Sequence, residues 1–275
     1  MNEKREKLTA ILQGYGSAAV AFSGGVDSTF LLAVAREALG ERVLAVIGRS
    51  PTYPKRELEE AVQLAKRLGA QYEVVDTCEM ENPDFAANPA NRCFFCKSNL
   101  FEVVAGVAAK HGIETLLEGS NADDTGDFRP GMEAAKKLGV KTPLLEAGLS
   151  KDEIRALSKE IGLPTWDKPA MACLSSRIPY GEPITLKRLS RIEKAEMDIR
   201  DLGYTQLRVR DHGEVARIEV QPDRIAEIAT ADSRARIVQA AKAAGYRYVC
   251  LDLEGYRTGA MNEVLDEETK ANARR

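Results

Sequence analysis

The stretch AFSGGVDS, residues 21–28, decides the fold of this chain. An apolar run at 18–22 leads into it and predicts a buried strand, and the amphipathic pattern over 28–39 predicts a helix directly behind it. The alternation continues along the first half of the chain, with further strands predicted at 43–47, 71–75 and 115–118 and helices at 55–68, 100–110, 131–138 and 151–161. Ser150 as N-cap and Glu153 three residues later predict a capping box at the start of the last of these helices. Such alternation predicts βαβ units, and therefore an α/β domain whose parallel sheet is covered on both faces.

The turn between the first strand and the first helix carries the chemistry of a phosphate-binding loop. Gly24 and Gly25 let the backbone approach an anion closely, and the first turn of the helix supplies N–H donors and a positive dipole end. Ser23 and Ser28 add hydroxyl donors, and Asp27 can hold Mg²⁺ against a phosphate group. An ordinary glycine-rich turn is the alternative. The chain has neither G-x-x-x-x-G-K-[ST] nor G-x-G-x-x-G, which excludes the usual mononucleotide and dinucleotide loops.

SGGVDS after an apolar strand resembles the PP-loop of the ATP pyrophosphatases, enzymes that split ATP into AMP and pyrophosphate while they adenylate a substrate. A second segment, EGSNADD at 118–124, resembles the G-[ST]-N-x-x-D element of the same superfamily. Open α/β sheets bind ligands at the carboxyl ends of their strands, where both segments should lie. The resemblance implies an adenine nucleotide alpha hydrolase-like domain that uses ATP and Mg²⁺.

The second segment and the residues after it supply further candidate ligands. Besides the loop itself, the expected contacts to ATP or magnesium are Asn121, Asp123, Asp124 and Asp127. For the three aspartates, a solvated acidic loop is the alternative. Asp27 in the loop is the expected catalytic carboxylate, because it would hold the metal against the pyrophosphate that leaves.

Composition shifts over residues 162–183, where four prolines indicate a functional loop or a domain junction. We therefore expect a PP-loop ATP pyrophosphatase domain at 1–165, a junction and active-site loop at 166–184, and a smaller C-terminal substrate-binding α+β domain at 185–275. The elements expected in this last part are helices at 186–202 and 233–244 and strands at 206–210, 216–220 and 246–253. Its first two strands alternate in polarity along the chain.

Overall composition excludes several classes of protein. The chain of 275 residues is 44% hydrophobic and 29% charged, so it can bury a core and is not a disordered chain. Its net charge of −3 argues against a dedicated nucleic-acid binder, and no apolar run approaches the roughly 18 residues of a membrane span. We expect a cytoplasmic homo-oligomer that takes a small-molecule nucleotide substrate, with neither a nucleic-acid nor a membrane partner.

Rarer strings narrow the resemblance to one family. They are DFRPG at 127–131, ACLSSRIPYG at 172–181, and the segment 246–262, which ends in GYRTGAMN. Together they are similar to the LarE family, the pyridinium-3,5-biscarboxylic acid mononucleotide sulfurtransferases that help to build the nickel-pincer nucleotide cofactor of lactate racemase. The resemblance runs from about residue 5 to residue 265. It implies that ATP adenylates each pyridinium carboxylate and that a sulfur nucleophile then displaces AMP to give a thiocarboxylate.

Matching positions imply a substrate site in the second half of the chain. Arg208 and Arg210 share one face of a predicted strand, and guanidinium groups suit bidentate contact with a phosphate. The resemblance implies substrate contacts, or for the two glutamates a metal or phosphate role, for Ser176, Arg177, Arg208, Arg210, Glu196 and Glu227. A solvated strand face and solvated helix faces are the alternatives for the arginine pair and the two glutamates.

Among the five cysteines, Cys93 and Cys96 form a CxxC pair whose thiolates can reach one metal or cluster. Cys173 lies in the loop where single-cysteine members of the family give up their own sulfur. This sequence departs from that pattern, because Cys173 falls one residue later and Ala172 takes the sacrificial position. The CxxC pair instead resembles the three-cysteine branch, which implies that Cys93, Cys96 and Cys173 ligate a [4Fe–4S] cluster and that Cys173 is catalytic. A redox pair or a zinc site remains the alternative for an isolated CxxC pair.

Other functions stay open at the level of sequence. A tRNA thiolation enzyme can share the PP-loop and the cysteines, although it needs a basic surface that this acidic chain lacks. A synthetase that takes ammonia from a glutaminase domain does not fit in 275 residues. A regulator that binds ATP without catalysis is a third alternative, and an assay for AMP distinguishes it. Cys78 and Cys250 lie at or beside strands, where we expect buried cysteines without a role.

Overall fold

The computed structural model describes residues 2–126 and 130–272. Their strands are β1 (Ala18–Ala21), β2 (Val43–Arg49), β3 (Gln71–Asp76), β4 (Leu116–Leu117), β5 (Leu207–His212), β6 (Val215–Val220) and β7 (Tyr248–Leu251). Their α-helices are α1 (Asn2–Gln13), α2 (Val26–Leu39), α3 (Lys55–Arg67), α4 (Pro83–Ala86), α5 (Arg92–Lys110), α6 (Pro130–Lys137), α7 (Pro143–Glu146), α8 (Lys151–Glu160), α9 (Leu186–Arg200), α10 (Ile225–Ile228), α11 (Ala231–Ala243) and α12 (Glu267–Asn272).

The described residues divide into two compact units. One comprises residues 2–82 and 91–171, and the other comprises residues 83–90 and 172–272. The chain therefore enters the second unit twice, first for the short segment 83–90 that contains α4 and then for its whole C-terminal part.

A parallel sheet with the strand order β3-β2-β1-β4 forms the centre of the first unit. β1 and the first five residues of β2 are almost wholly buried, as expected of strands covered by helices on both faces. The predicted α/β class is confirmed. The fourth strand is shorter than predicted, since only Leu116 and Leu117 pair with β1 before the chain turns into the loop at Gly119.

Two helices of this unit position candidate residues. Helix α5 begins at Arg92, eight residues before the helix that the sequence predicts at residue 100, so Cys93 and Cys96 lie in its first turns. Helix α8 begins with the predicted capping box, in which the side chain of Ser150 accepts from the backbone N–H of Glu153 and the carboxylate of Glu153 accepts in return from Ser150.

A smaller sheet with the order β5-β6-β7 forms the centre of the second unit, with β5 and β6 antiparallel and β6 and β7 parallel. The alternative of a solvated strand face is wrong for β5, where five of six residues are buried. Arg208, Arg210 and Asp211 are buried there because each has a charged or aromatic neighbour within the unit. The charged residues of this strand therefore do not indicate a solvent-exposed face.

Within the residues that the structure describes, none of the helices combines the length and the apolar composition that a membrane crossing requires.

Candidate active site

The loop after β1 has the geometry of an anion cradle. Gly24 has a φ of 64°, in the left-handed region that glycine adopts without strain, and a Cβ at this position would lie 3.0 Å from the Cα of Ala61. Gly25 caps α2 without help from a side chain, so the N-terminus of that helix faces the loop. Gly24 is therefore required by conformation and by space, whereas Gly25 has an ordinary φ of −78° and a Cβ there would meet only Ser23 Oγ, at 3.4 Å.

Two serine hydroxyls line the same loop. The Oγ atoms of Ser23 and Ser28 lie 3.1 Å apart, and the backbone N–H of Gly25 donates to Ser23 Oγ at 3.4 Å. Ser28 Oγ also donates to the carbonyl of Gly25 at 3.3 Å. These bonds are long and mutual, so a phosphate oxygen can replace them without leaving a buried group unpaired.

The second predicted segment meets the loop at Asp27. The Nδ2 group of Asn121 donates to Asp27 Oδ1 at 3.3 Å, and a Cβ on Gly119 would lie 3.0 Å from the backbone nitrogen of Ser28. The glycine thus permits a close backbone approach that brings the asparagine amide to the carboxylate. Asp27 and Asn121, predicted ligands from two separate segments, are therefore in direct contact.

The neighbouring aspartates accept hydrogen bonds from backbone N–H groups of different segments. They stabilise the local backbone and do not converge on one site. Asp124 is buried, and its Oδ2 accepts from the backbone N–H of Asn121 at 3.0 Å. Asp123 Oδ2 accepts from the backbone N–H of Lys151 at 2.8 Å, at the start of α8. Asp127 lies outside the described residues.

Two lysines that sequence reasoning missed lie at the loop. Lys151 Nζ contacts Asp27 Oδ2 at 2.5 Å, which places an ammonium group beside the expected metal ligand. Lys168 Nζ donates to the carbonyl of Gly24 at 3.3 Å and pairs with Glu57 at 2.8 Å and Glu60 at 3.0 Å. Burial opposes the charge on Lys168, but the two carboxylates outweigh it and raise its pKa, so the ammonium stays charged.

The CxxC pair lies on α5 in the same unit. Cys93 is exposed and Cys96 is half-buried, and the rings of Phe94 and Phe95 meet edge to face with centroids 5.7 Å apart. Lys97, the next residue along, forms an ion pair with the buried carboxylate of Glu118. The helix that carries the thiols is thereby tied to the segment that carries Asn121.

The other cysteines differ from expectation. Cys78 and Cys250 are exposed, so the expectation that both are buried is wrong. Cys250 is exposed because it lies on the outer face of β7, whereas its neighbours Val249 and Leu251 pack against the core of the unit. Among the described residues, no group of three or more histidine, cysteine or carboxylate side chains is gathered closely enough to hold a metal ion.

In the second unit, Arg177 fixes the loop that carries Cys173. Its side chain is wholly buried, and its Nε and Nη2 groups donate to the two oxygens of Glu196 at 2.8 and 2.9 Å. Its Nη1 group donates to the carbonyl of Ala172 at 2.7 Å and to that of Cys173 at 3.0 Å. Burial opposes both charges, but the pairing outweighs it, so the pKa of Arg177 is raised and that of Glu196 is lowered. The pair positions the backbone around Cys173.

Arg210 supports the same loop from β5. It donates to both oxygens of Glu219, at 2.8 and 2.7 Å, and its Nη1 group donates to the carbonyl of Ser176 at 2.8 Å. Arg208 instead lies with its guanidinium carbon 4.8 Å from the ring centroid of Tyr256. Burial, together with the nearby charge of Arg177, lowers the pKa of Arg208 to about 10.

A cavity of about 290 Å³ opens in the second unit beside this loop. Its lining includes the predicted residues Ser176, Arg177 and Arg210, and it adds His212 and Arg217. Burial and the charge of Arg217 lower the pKa of His212, which favours a neutral imidazole. Three arginines in one lining make the cavity a candidate site for an anion.

Comparison with known proteins agrees with this geometry. The sequence model of the NAD synthase family matches residues 2–102, which include the glycine loop. An uncharacterised protein of Synechocystis sp. is 44% identical over 265 residues, which are 96% of this chain and 99% of that protein. The pyridinium-3,5-bisthiocarboxylic acid mononucleotide synthase of Lactiplantibacillus plantarum is 35% identical over 263 residues, or 95% of each chain. This chain belongs to the LarE family of such synthases.

Membership of the LarE family confirms the family resemblance read from the sequence. A more distant match, to the glutamine-hydrolysing GMP synthase of Aeropyrum pernix, is 28% identical over 208 residues, which are 68% of this chain and 40% of that enzyme. The PP-loop is thus placed in a wider group of nucleotide-using enzymes, while the full-length matches single out the LarE family.

The glutamates that the resemblance selects have different environments. Glu196 is buried and bound to Arg177, and it also accepts from the backbone N–H of Val209 at 3.0 Å. Glu227 is exposed and pairs with Arg224 one turn earlier in the chain. The sequence does not distinguish the buried glutamate from the exposed one, because both lie in helical segments rich in charged residues.

Lys151, Lys168 and Arg217 are the functional candidates that sequence reasoning missed. A signal was present for Lys151, since the capping box places it at the first position of α8. Lys168 lies among the prolines of 162–183, and nothing in that composition indicates that its ammonium reaches Gly24. Arg217 lies on the strand beside Arg210 and becomes visible only through strand pairing.

Proposed function

We propose that this chain is an ATP-dependent sulfurtransferase that converts the carboxylates of pyridinium-3,5-biscarboxylic acid mononucleotide to thiocarboxylates, in biosynthesis of the nickel-pincer nucleotide cofactor of lactate racemase. The observation that carries the proposal is the identity of 35% over 95% of both chains to the synthase of Lactiplantibacillus plantarum. Its reaction needs an activated carboxylate and a sulfur donor, and the two units supply candidates for each.

Activation is the task of the first unit. The glycine loop and the N-terminus of α2 would hold the phosphates of ATP, and Asp27 would hold Mg²⁺ against the β and γ phosphates with Asn121 beside it. Lys151 would then move from Asp27 to a phosphate oxygen as charge builds on the leaving pyrophosphate. Attack of a substrate carboxylate on the α phosphorus gives an acyl adenylate and pyrophosphate.

Sulfur delivery is the task that we assign to the cysteines. Exposure of Cys93 and partial exposure of Cys96, one helical turn apart, fit a pair of ligands that reach outward to a [4Fe–4S] cluster. Cys173 would be the third ligand, and the bonds from Arg177 to the carbonyls of Ala172 and Cys173 would keep its loop in place. When bound, such a cluster would supply an exchangeable sulfide as the nucleophile, so no protein sulfur would be consumed.

We further propose that residues 1–165 act as the ATP-using domain, 166–184 as the junction and active-site loop, and 185–275 as the substrate-binding domain. Ser176, Arg177, Arg208, Arg210, Glu196 and Glu227 are the residues proposed to bind or organise the substrate. We propose a cytoplasmic homo-oligomer for the whole enzyme.

The test is a reaction of anaerobically purified protein with ATP, Mg²⁺, the biscarboxylic acid mononucleotide and inorganic sulfide as the source of sulfur. We expect AMP and pyrophosphate in step with a product in which sulfur replaces carboxylate oxygen, detected by mass spectrometry. ADP and orthophosphate as products, or AMP without a thiocarboxylate, would contradict the proposal.

The cluster is tested separately by the visible spectrum and by cysteine variants. Cys93→Ala, Cys96→Ala and Cys173→Ala should each remove multiple turnover, whereas Cys78→Ala and Cys250→Ala should keep it. Loss of one sulfur from the mass of Cys173 after a single turnover would instead establish a sacrificial cysteine.

A further inference from the structure

The three guanidinium groups that line the cavity of the second unit differ in their exposure and in their contacts. Arg177 has no exposed side-chain surface and Arg210 has 10%, and both donate in bidentate fashion to buried carboxylates. Arg217 has 41% of its side-chain surface exposed. An anion that enters the cavity therefore meets Arg217 before either of the other two arginines.

The contacts of Arg217 leave it able to bind a further group. It contacts Asp252 Oδ2 through Nη1 at 2.7 Å and Glu219 Oε1 through Nη2 at 3.3 Å, one oxygen from each carboxylate. Glu219 is already held by Arg210, so its contact with Arg217 is the weaker one. The Nε group of Arg217 is buried and has no hydrogen-bond partner among the described residues.

The lining of the cavity matches an anionic ligand. None of the described residues that line it is acidic, while three are arginines. Asp252 and Glu219 hold Arg217 from outside the lining, which orients the guanidinium group without placing a negative charge in the cavity. A phosphomonoester is the anion whose oxygens best use a planar guanidinium group, through paired N–H···O bonds.

We propose that Arg217 is a specificity-determining residue that recognises the 5′-phosphate of a pyridinium mononucleotide in this cavity. The identity of the ligand rests on the proposed function, but the recognition of its phosphate does not. Arg217 binds the phosphate directly, and Asp252 is a positioning residue that holds the guanidinium group in the orientation it needs.

The experiment measures binding of two probes by calorimetry, without ATP. They are nicotinic acid mononucleotide, a pyridinium carboxylate with a phosphate, and the corresponding riboside, which lacks the phosphate. Arg217→Ala should weaken binding of the mononucleotide by about ten- to a hundredfold, the loss of one charge-assisted hydrogen-bonding group, and leave binding of the riboside unchanged. Arg217→Lys keeps the charge but not the paired geometry and should recover only part of the affinity.

Arg247→Ala is the matched control, because Arg247 lies in the same unit with 67% of its side chain exposed and pairs with Glu214 outside the cavity lining. It should bind both probes as the wild-type protein does. Equal affinity of wild-type protein and Arg217→Ala for the mononucleotide would overturn the inference, as would an equal loss of affinity for both probes.

The binding result separates this inference from the proposed function. Wild-type protein that forms no thiocarboxylate, but whose discrimination between the two probes depends on Arg217, would refute the function and support the inference. Thiocarboxylate formation by Arg217→Ala with an unchanged KM for the mononucleotide would support the function and overturn the inference.

Discussion

The glycine loop at residues 21–28 and the Cys173 loop at 172–177 are fixed by different kinds of interaction. Within the glycine loop, hydroxyl and backbone bonds of 3.1 to 3.4 Å join residues at most five positions apart, and Tyr53 and Lys168 donate to backbone carbonyls of the loop from elsewhere in the first unit. The Cys173 loop is held by Arg177, whose buried partner Glu196 lies 19 positions away in α9. The bonds inside the first loop are local and uncharged, whereas the second loop depends on an ion pair that tertiary structure buries.

This difference matches the tasks proposed for the two loops. A loop that admits a triphosphate needs donors that exchange their partners easily, which long bonds between serines allow. A loop that holds a thiol in one place needs bonds that do not exchange, and a buried bidentate ion pair provides them. Substitutions of the buried ion pair that holds the second loop should therefore affect stability, while substitutions in the first loop should affect activity.

The largest effect should come from removing Glu196. Glu196→Ala leaves the charge of Arg177 buried without its main partner, which costs about 3–5 kcal/mol of the free energy of unfolding. Urea denaturation followed by circular dichroism measures the loss. The matched control is Glu227→Ala, which removes an exposed carboxylate and should leave the denaturation midpoint unchanged. Equal midpoints for the two variants would contradict a stabilising role for the buried pair.

The ion pair of Arg177 and Glu196 should also make the free energy of unfolding decrease at acid pH. The pKa of Glu196 is lower in the folded protein than in the unfolded chain, despite its burial, because Arg177 favours the carboxylate. Its contribution is present above the ordinary glutamate pKa of about 4.3 and is lost as the pH falls through the lower folded value. Glu196→Gln should flatten this part of the stability profile. A variant profile parallel to that of the wild-type protein would show that other groups cause the acid loss.

Asp27→Asn should affect activity strongly and stability little. Loss of the carboxylate weakens the hold on Mg²⁺ and the leaving pyrophosphate, and AMP formation should fall by about a hundred- to a thousandfold, as when one electrostatic group is removed from an active site. Its pair with Lys151 is partly exposed and contributes about 0–1 kcal/mol, so the urea midpoint should stay near the wild-type value. A large loss of stability would show that the first loop also depends on fixed charge.

The smallest effect tests a contact that joins two parts of the second unit. Asn88 is fully buried with a φ of 58°, and its amide donates to the carbonyls of Ile178, Pro179 and Glu182. Asn88→Gly loses these bonds at a cost of about 1–3 kcal/mol but tolerates the backbone conformation.

Asn88→Ala loses the same bonds and adds about 1 kcal/mol of strain at positive φ. The difference between the urea midpoints of the alanine and glycine variants therefore measures the cost of placing a residue other than glycine at this positive φ. Equal midpoints would mean that the backbone relaxes after substitution. Because Ile178 and Pro179 line the cavity, both variants should raise the KM for the mononucleotide and leave the KM for ATP unchanged.

Local patterns predicted much of the fold. The alternation of apolar strands and amphipathic helices predicted the parallel sheet, and the spacing of Ser150 and Glu153 predicted the start of α8. Both patterns depend on interactions between residues that are close in sequence, so they can be recognised without the tertiary structure. The start of α5 was missed because the aromatic and cysteine residues at 93–96 have weaker helix propensity than the segment after them.

The strand that carries Arg208 and Arg210 shows where pattern fails. Charged residues on alternate positions are typical of a solvated face, yet both arginines are buried. Their burial depends on Glu219 from the neighbouring strand and on the ring of Tyr256, and a pattern on one strand contains no information about either partner.

The sequence by itself determined the phosphate loop and the family, because the groups that make a glycine loop lie within eight consecutive residues. Only the tertiary structure decided which charged side chains form buried ion pairs and which stay exposed enough to bind a ligand. Arg177, Arg210 and Arg217 are equivalent as residue types, and their different exposures follow from Glu196, Glu219 and Asp252. The physical reason is that the cost of burying a charge is met by its partners in space, which sequence spacing does not specify.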